Sequence, residues 1–190
     1  MATLAPPTAA GFSPAQLAAA LWAGPGARVY ALIDGLALPG LPERLAPADV
    51  LGWDCLARGA LEAEAVQRAP YLVDLRAGSP FTAWLLFEAT TAFPGWGLLL
   101  VSTQPLLAMR QHCRALCEVG LPDGTRRTWR WYDPQLLEAL LPQLSPGQLD
   151  ELFAPGFALV VPSAQAWTWH TLEQGLLVST PRGIAPAAAR

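Results

Sequence analysis

The sequence predicts an α/β fold of the α+β kind: a mixed β-sheet flanked by helices, with a β-hairpin and a smaller C-terminal helix and strand lobe. Three observations predict it. Short apolar runs at residues 28–33, 69–75 and 97–102 have the length of strands and alternate with segments of helical spacing up to Leu116. Pro122-Asp123-Gly124 then turns the chain back on itself, and Tyr132-Asp133-Pro134 makes a corner into a helix. Beyond Ala154 the chain reads as strands again.

Residues 1–11 are rich in Ala, Pro and Thr and are expected to be poorly ordered. Ser13-Pro14 starts a short helix with Leu17, Leu21 and Trp22 as its apolar stripe, and Gly24-Pro25-Gly26 breaks it. The strand at 28–33 stops at Asp34-Gly35. Residues 36–47 carry three prolines and read as a loop. Residues 49–65 show loose helical spacing, weakened at Gly52 and Gly59. After the strand at 69–75, residues 80–91 place Phe81, Trp84, Leu85 and Glu88 over three helical turns, ended by Pro94-Gly95. The run at 97–102 is apolar almost throughout, as a central strand requires. Thr103 is a candidate cap for a helix over 104–116.

The turn at 122–124 has the chemistry of a three-residue hairpin loop. Proline presets φ at the first position, aspartate suits the second, and Gly124 takes the left-handed third. That loop pairs Leu121 with Thr125, Val119 with Arg127 and Cys117 with Trp129. Cys117, Val119, Leu121, Trp129 and Trp131 then share one face, and Glu118, Arg126, Thr128, Arg130 and Tyr132 the other. A two-residue loop would set both tryptophans opposite Glu118 and Gly120, so the longer loop fits better. Asp133 is a good N-cap and Pro134 suits the first helical position, with Leu136, Leu137, Leu140 and Leu141 following at helical spacing. Ser145-Pro146 starts a helix over 147–153, stopped by Ala154-Pro155-Gly156. Strands are expected at 158–161, 166–172 and 175–179, and disorder over 181–190. The chain therefore divides into an extension with a short helix (1–26), an α/β domain (27–153), and a strand lobe with its tail (154–190).

Composition narrows the function. Hydrophobic residues make up 53% and charged residues 14%, yet no apolar run approaches the ~18 residues that span a bilayer. The N-terminus lacks the basic region and apolar core of a signal peptide, so a soluble, cytoplasmic chain without a membrane span is expected. The apolar and tryptophan excess suggests a docking surface. A net charge of −3 without a basic block argues against nucleic acid as a partner. All 12 basic residues are arginine, which reflects a GC-rich coding bias, forked contacts to carboxylates, or both.

No motif for catalysis emerges. His112, Cys113 and Cys117 lie in one helix, but only Cys55 and His170 remain to complete a zinc set, so buried structural cysteine is preferred and no metal or cofactor is expected. Three cysteines in a cytoplasmic chain also speak against disulfides. There is no G-x-S-x-G elbow or Walker loop, and the acidic pairs Asp150-Glu151 and Glu62/Glu64 read as solvated helix faces. Catalytic residues are therefore expected to be none. Trp84 and Trp96 read as core. At Trp129/Trp131 and Trp167/Trp169, alternation gathers two indoles on one strand face, which is either covered internally or binds a partner. Glu118, opposite Thr128, lies diagonal to Arg126 and Arg130 and pairs with them structurally, or a free arginine clamps a partner's carboxylate.

Blocks in a particular order carry a resemblance. They are Tyr30-Ala31-Leu32-Ile33-Asp34-Gly35, Ala69-Pro70-Tyr71-Leu72-Val73, Gly95-Trp96-Gly97, the helix around Gln111-His112-Cys113-Arg114 leading to Leu121-Pro122-Asp123-Gly124, and Trp129-Arg130-Trp131-Tyr132-Asp133-Pro134. Over about residues 29–153 the chain resembles the type VI secretion effector-chaperone family, also called Tap or TEC adaptors. The family usually has Phe-Arg-Phe-Tyr-Asp-Pro-Arg at the last block. Tryptophans stand at the first and third positions here and Gln135 at the last, while Arg130, Tyr132 and Asp133 stay in register. The resemblance implies a cytoplasmic, non-enzymatic adaptor that binds one toxic effector and helps load it onto the VgrG spike, often with a PAAR-type tip. Within that reading Trp129, Trp131, Trp167 and Trp169 are candidate anchors, Arg126 and Arg130 orient the partner, and Tyr132 joins them. Asp34, Gly35, Glu118, Gly124, Asp133 and Pro134 are structural. The alternatives are an immunity-like inhibitor of a toxin, or a hydrolase or transferase with a non-local site.

Overall fold

The computed structural model describes residues 11–121 and 123–185. The disorder expected of residues 1–10 and 186–190, and the turn role of Pro122, lie outside the described residues. Helix α1, Pro14–Leu21, opens on a capping box between Ser13 and Gln16 and buries Leu17 and Leu21. Strand β1, Arg28–Asp34, is followed by helix α2, Leu41–Leu45, strand β2, Gly52–Cys55, and helix α3, Ala63–Arg68. Strand β3, Pro70–Leu75, leads into one helical stretch: α4 (Pro80–Ala83), a π-helical segment (Trp84–Ala89) and α5 (Thr90–Ala92). Strand β4, Gly97–Ser102, helix α6, Leu106–Leu116, and the hairpin of β5, Glu118–Gly120, and β6, Arg126–Thr128, come next. Helix α7, Pro134–Leu140, and helix α8, Pro146–Phe153, precede strands β7 (Phe157–Pro162), β8 (Ala166–Glu173) and β9 (Leu176–Gly183).

These strands build one seven-stranded antiparallel sheet in the order β2-β3-β1-β4-β7-β8-β9, and β5–β6 forms a small sheet of its own. The α/β class holds, with β4 at the centre, but the sheet is antiparallel where a mixed one was expected. The reason lies in β1, which pairs antiparallel with both β3 and β4. Strands β3 and β4 therefore run parallel to each other, joined by the helical stretch, and this is the alternation visible in the sequence. Insertion of β1 between them makes every adjacent pair antiparallel. One sheet face, with Val29, Ala31 and Ile33, packs on α1, α2 and the helical stretch. The other, with Tyr30, Leu32 and Leu100, packs on α6, α7 and α8.

Other expectations change as well. Strand β7 pairs with β4, Leu99 opposite Val160, so the C-terminal strands continue the sheet instead of forming a separate smaller lobe. Pro181 and Arg182, expected in a disordered tail, complete β9 opposite Thr168 and Trp167. Residues 36–47 contain α2. Residues 49–65 hold β2 and the start of α3, because the ladder from Gly52 to Cys55 along β3 outweighs weak helical spacing. Thr103 is no cap; α6 starts behind Pro105, and the Ser102 hydroxyl accepts from the Gln104 N–H instead.

The hairpin has the expected register, with Val119 opposite Arg127 and Glu118 opposite Thr128. Gly124 adopts φ +80°, the left-handed conformation that the third loop position needs. The Asp133 carboxylate accepts from the N–H groups of Gln135 and Leu136 at 3.0 and 3.2 Å. Asp133→Ala is expected to cost about 1 kcal/mol of stability through the lost cap. A thermal melt superimposable on that of the unaltered chain contradicts this.

Candidate partner-binding site

Strand β1 ends in the Asp34-Gly35 turn. The Asp34 carboxylate accepts from the Leu36 N–H at 3.0 Å, and the Asp34 N–H donates to the Trp96 carbonyl at 2.8 Å. Gly35 lies so close to the end of α3 that a Cβ would come within 2.5 Å of the Gln67 carbonyl oxygen. Asp34 is buried, and its second oxygen is ion-paired with Arg130, whose guanidinium also lies 3.6 Å from Asp133. A buried carboxylate requires such a partner.

Further bonds tie down the base of the hairpin. Trp129 Nε1 donates to the Leu116 carbonyl at 2.6 Å, and Trp131 Nε1 to the Cys113 carbonyl at 3.3 Å. From α6, the Arg114 guanidinium donates to the carbonyls of Cys55, Leu56 and Ala57 at 2.7–3.0 Å. These acceptors are the last residue of the edge strand β2 and the two that follow it, so Arg114 covers backbone that an open edge leaves bare. Burial pushes the Cys117 thiol up to about 11. Burial, and then the charge of Asp34, raises the Tyr132 phenol above its ordinary value. Both groups are neutral near pH 7, and neither is an activated nucleophile.

Two grooves adjoin the hairpin. The larger, about 740 Å³, is bordered by Glu118 and Thr128 on the hairpin and by Arg58, Pro70 and Leu136 across from it. The smaller, about 340 Å³, is bordered by Val119 and by Leu137, Leu140 and Leu152. Half-buried Trp129 lines both. Glu118 holds Arg126 at 3.1 Å and Arg58 at 3.3 Å, while the hairpin leaves Val119 and Leu121 exposed.

The structure thus brings Arg126, Trp129, Arg130, Trp131 and Tyr132 together around the hairpin, beside Glu118, Gly124, Asp133 and Pro134. Trp167 and Trp169 do not join them. They lie 6.0 Å apart on β8 within the opposite core, with the sheet between them and the hairpin. Trp131, Tyr132, Trp167 and Trp169 are each at most 8% exposed. That burial corrects their expected use as anchors, because the chain itself already covers these rings. Arg182 stacks over Trp169 at 4.2 Å. Arg130 is engaged by Asp34, so it is no free clamp, and Arg126 is the exposed member of the pair. Arg58 has no place in the sequence reading, and Leu136 appears there only in the apolar stripe of a helix, not beside a groove. Finding Arg58 requires knowing that β2 is an edge strand, which the helical spacing of 49–65 concealed.

The histidines lie elsewhere. His112 Nε2 donates to the Leu152 carbonyl at 2.9 Å, and His170 Nδ1 lies 2.9 Å from the Ser179 hydroxyl. Burial lowers both imidazoles from their ordinary value. Among the described residues the second nitrogen of His170 has no partner, and neither His170 nor Ser179 lines either groove. Nor do three or more of His, Cys, Asp and Glu converge as a metal site needs, again among the described residues.

Fold and grooves together define a helix-flanked antiparallel-sheet protein whose open surface is organised around a hairpin standing off the main sheet. The model of a domain of unknown function, DUF4123, matches residues 29–151, more than half of the chain. The chain belongs to the DUF4123 family. Comparison with curated proteins and with solved structures gave no match. No helix of the described residues is long and apolar enough to cross a membrane.

Proposed function

We propose that the chain is a non-enzymatic cytoplasmic adaptor that binds a type VI secretion effector and assists its loading onto the VgrG spike, with or without a PAAR-type tip. One observation carries this reading. The blocks on which the family resemblance rests converge on a single place, the hairpin base: Asp34 meets both Trp96 and Arg130, and Trp131 meets Cys113. Beside that place lie the two grooves. In this reading Arg126 and Trp129 touch the effector, while Arg130, Trp131 and Tyr132 hold the hairpin in position. Trp167 and Trp169 stabilise the far side of the sheet.

The test is to purify the tagged full chain from its own host and identify what accompanies it by mass spectrometry. Recovery of one large toxin with a spike protein, the toxin's catalytic activity unimpaired, is the expected result. A toxin whose activity is suppressed on binding points to an immunity-like inhibitor instead. A partnerless chain from cells that are assembling the secretion apparatus overturns the adaptor reading.

A further inference from the structure

The hairpin β5–β6 carries an unfilled backbone edge. The Trp129 N–H donates to the Cys117 carbonyl and the Leu121 N–H to the Thr125 carbonyl, with Val119 opposite Arg127. In an antiparallel pair these alternate with residues whose backbone groups point away. The N–H and C=O of Arg126 and Thr128 therefore point outward from β6, and among the described residues nothing bonds to them. On the other side, β5 follows α6 directly and is approached by Arg58, which reaches Glu118. A two-stranded ribbon alone is marginal in water, and a third strand is what stabilises it.

The side chains state which strand fits. The chain is acidic overall, at −3, yet the strand pair presents Arg126 and Arg127 with Arg58 nearby, and Glu118 is the one carboxylate on these two strands. Arg126 is 80% exposed at its side chain, and Arg127 has no carboxylate within ion-pair distance among the described residues. Asp123, in the turn, is occupied by the Thr125 N–H and hydroxyl. Exposed Val119 and half-buried Trp129 supply apolar surface.

We propose that β6 receives a third strand from a protein partner, an extended segment that alternates carboxylate and apolar side chains. This rests on the adaptor reading for the existence of a partner, and it adds how that partner is held. Main-chain bonds to Arg126 and Thr128 give affinity; the segment's carboxylates share the face of Arg126 and Arg58, its apolar side chains the face of Val119 and Trp129, and pairing with Arg126 selects the segment.

The experiment uses the isotope-labelled full chain and two capped eight-residue peptides, one alternating glutamate with valine and the other lysine with valine. The glutamate peptide is expected to slow amide exchange at Arg126 and Thr128 by at least about tenfold, and the lysine peptide to leave it unchanged. Arg126→Gln with Arg127→Gln should weaken the glutamate peptide at least about tenfold, as should raising the salt on the unaltered chain, which checks the charges without any variant. Equal binding of both peptides, or absence of protection at these two amides, overturns the proposal. Those outcomes leave the co-purification result standing, so the two readings fail separately.

Discussion

Trp131→Ala is expected to lower the stability of the fold by about 4 kcal/mol, while Trp129→Ala, two residues earlier, lowers it by only about 1 kcal/mol. The indole of Trp131 is fully buried in the core shared by Tyr30, Leu32 and α6, and its N–H satisfies the Cys113 carbonyl. Its removal leaves a cavity that rigid neighbours cannot fill, and the Cys113 carbonyl keeps only the weak Cys117 thiol as a side-chain donor. Trp129 is half-buried and forms a ridge between two grooves, so its loss opens surface instead of creating a sealed void. Binding should rank the two in the opposite sense. Trp129→Ala is expected to cost at least ~2 kcal/mol of affinity for the co-purified effector, as aromatic residues at the centre of an interface do. Urea denaturation of both variants, followed by titration of Trp129→Ala with that effector, decides. A stability loss at Trp129 as large as at Trp131 returns it to the core and removes it from the site.

Local chemistry was legible where a few neighbouring residues settle the conformation. The turn through Gly124, the register of Val119 with Arg127, and the Asp133-Pro134 helix start all follow from side-chain alternation and capping, and the structure has each. The strands β1, β3 and β4 were visible as apolar runs because both of their faces are covered. What the sequence concealed depends on long-range pairing. Strand β2 is only Gly52–Cys55, and no local pattern marks it; its partner β3 makes it a strand. The sheet's direction is hidden because a strand–helix–strand pattern does not reveal a third strand inserted between its ends. Alternation correctly put Trp167 and Trp169 on one face of β8, but it carries no information about which layer lies over that face. The same limit hid the partner of Arg130. Glu118 was the nearest carboxylate by register, whereas Asp34 is near only in the folded sheet.

Arg130→Ala is expected to cost about 2–3 kcal/mol, because it leaves the Asp34 carboxylate buried without a counter-ion. Asp34 is 1% exposed at its side chain and Arg130 45%, so water reaches the guanidinium, which places the loss below that of a fully buried pair. Asp34→Asn should cost less, since the amide oxygen can still accept from the Leu36 N–H while the charge disappears, and Arg130 keeps Asp133 within 3.6 Å. If the pair is the source of the loss, Asp34→Asn with Arg130→Ala should be more stable than the two single losses predict, by at least about 1 kcal/mol. Strict additivity means that Arg130 acts through Asp133 alone. The pair also bears on binding, because Arg130 lies two residues beyond Thr128 and fastens the open strand to the main sheet. Arg130→Ala should therefore speed amide exchange throughout β5 and β6 in the free chain and weaken effector binding by an amount that salt hardly changes. An affinity loss that shrinks steeply as salt rises, with hairpin exchange unaltered, indicates instead that Arg130 meets a carboxylate of the effector directly. That outcome gives Arg130 a contact role and leaves Asp34 to be satisfied by its backbone donor.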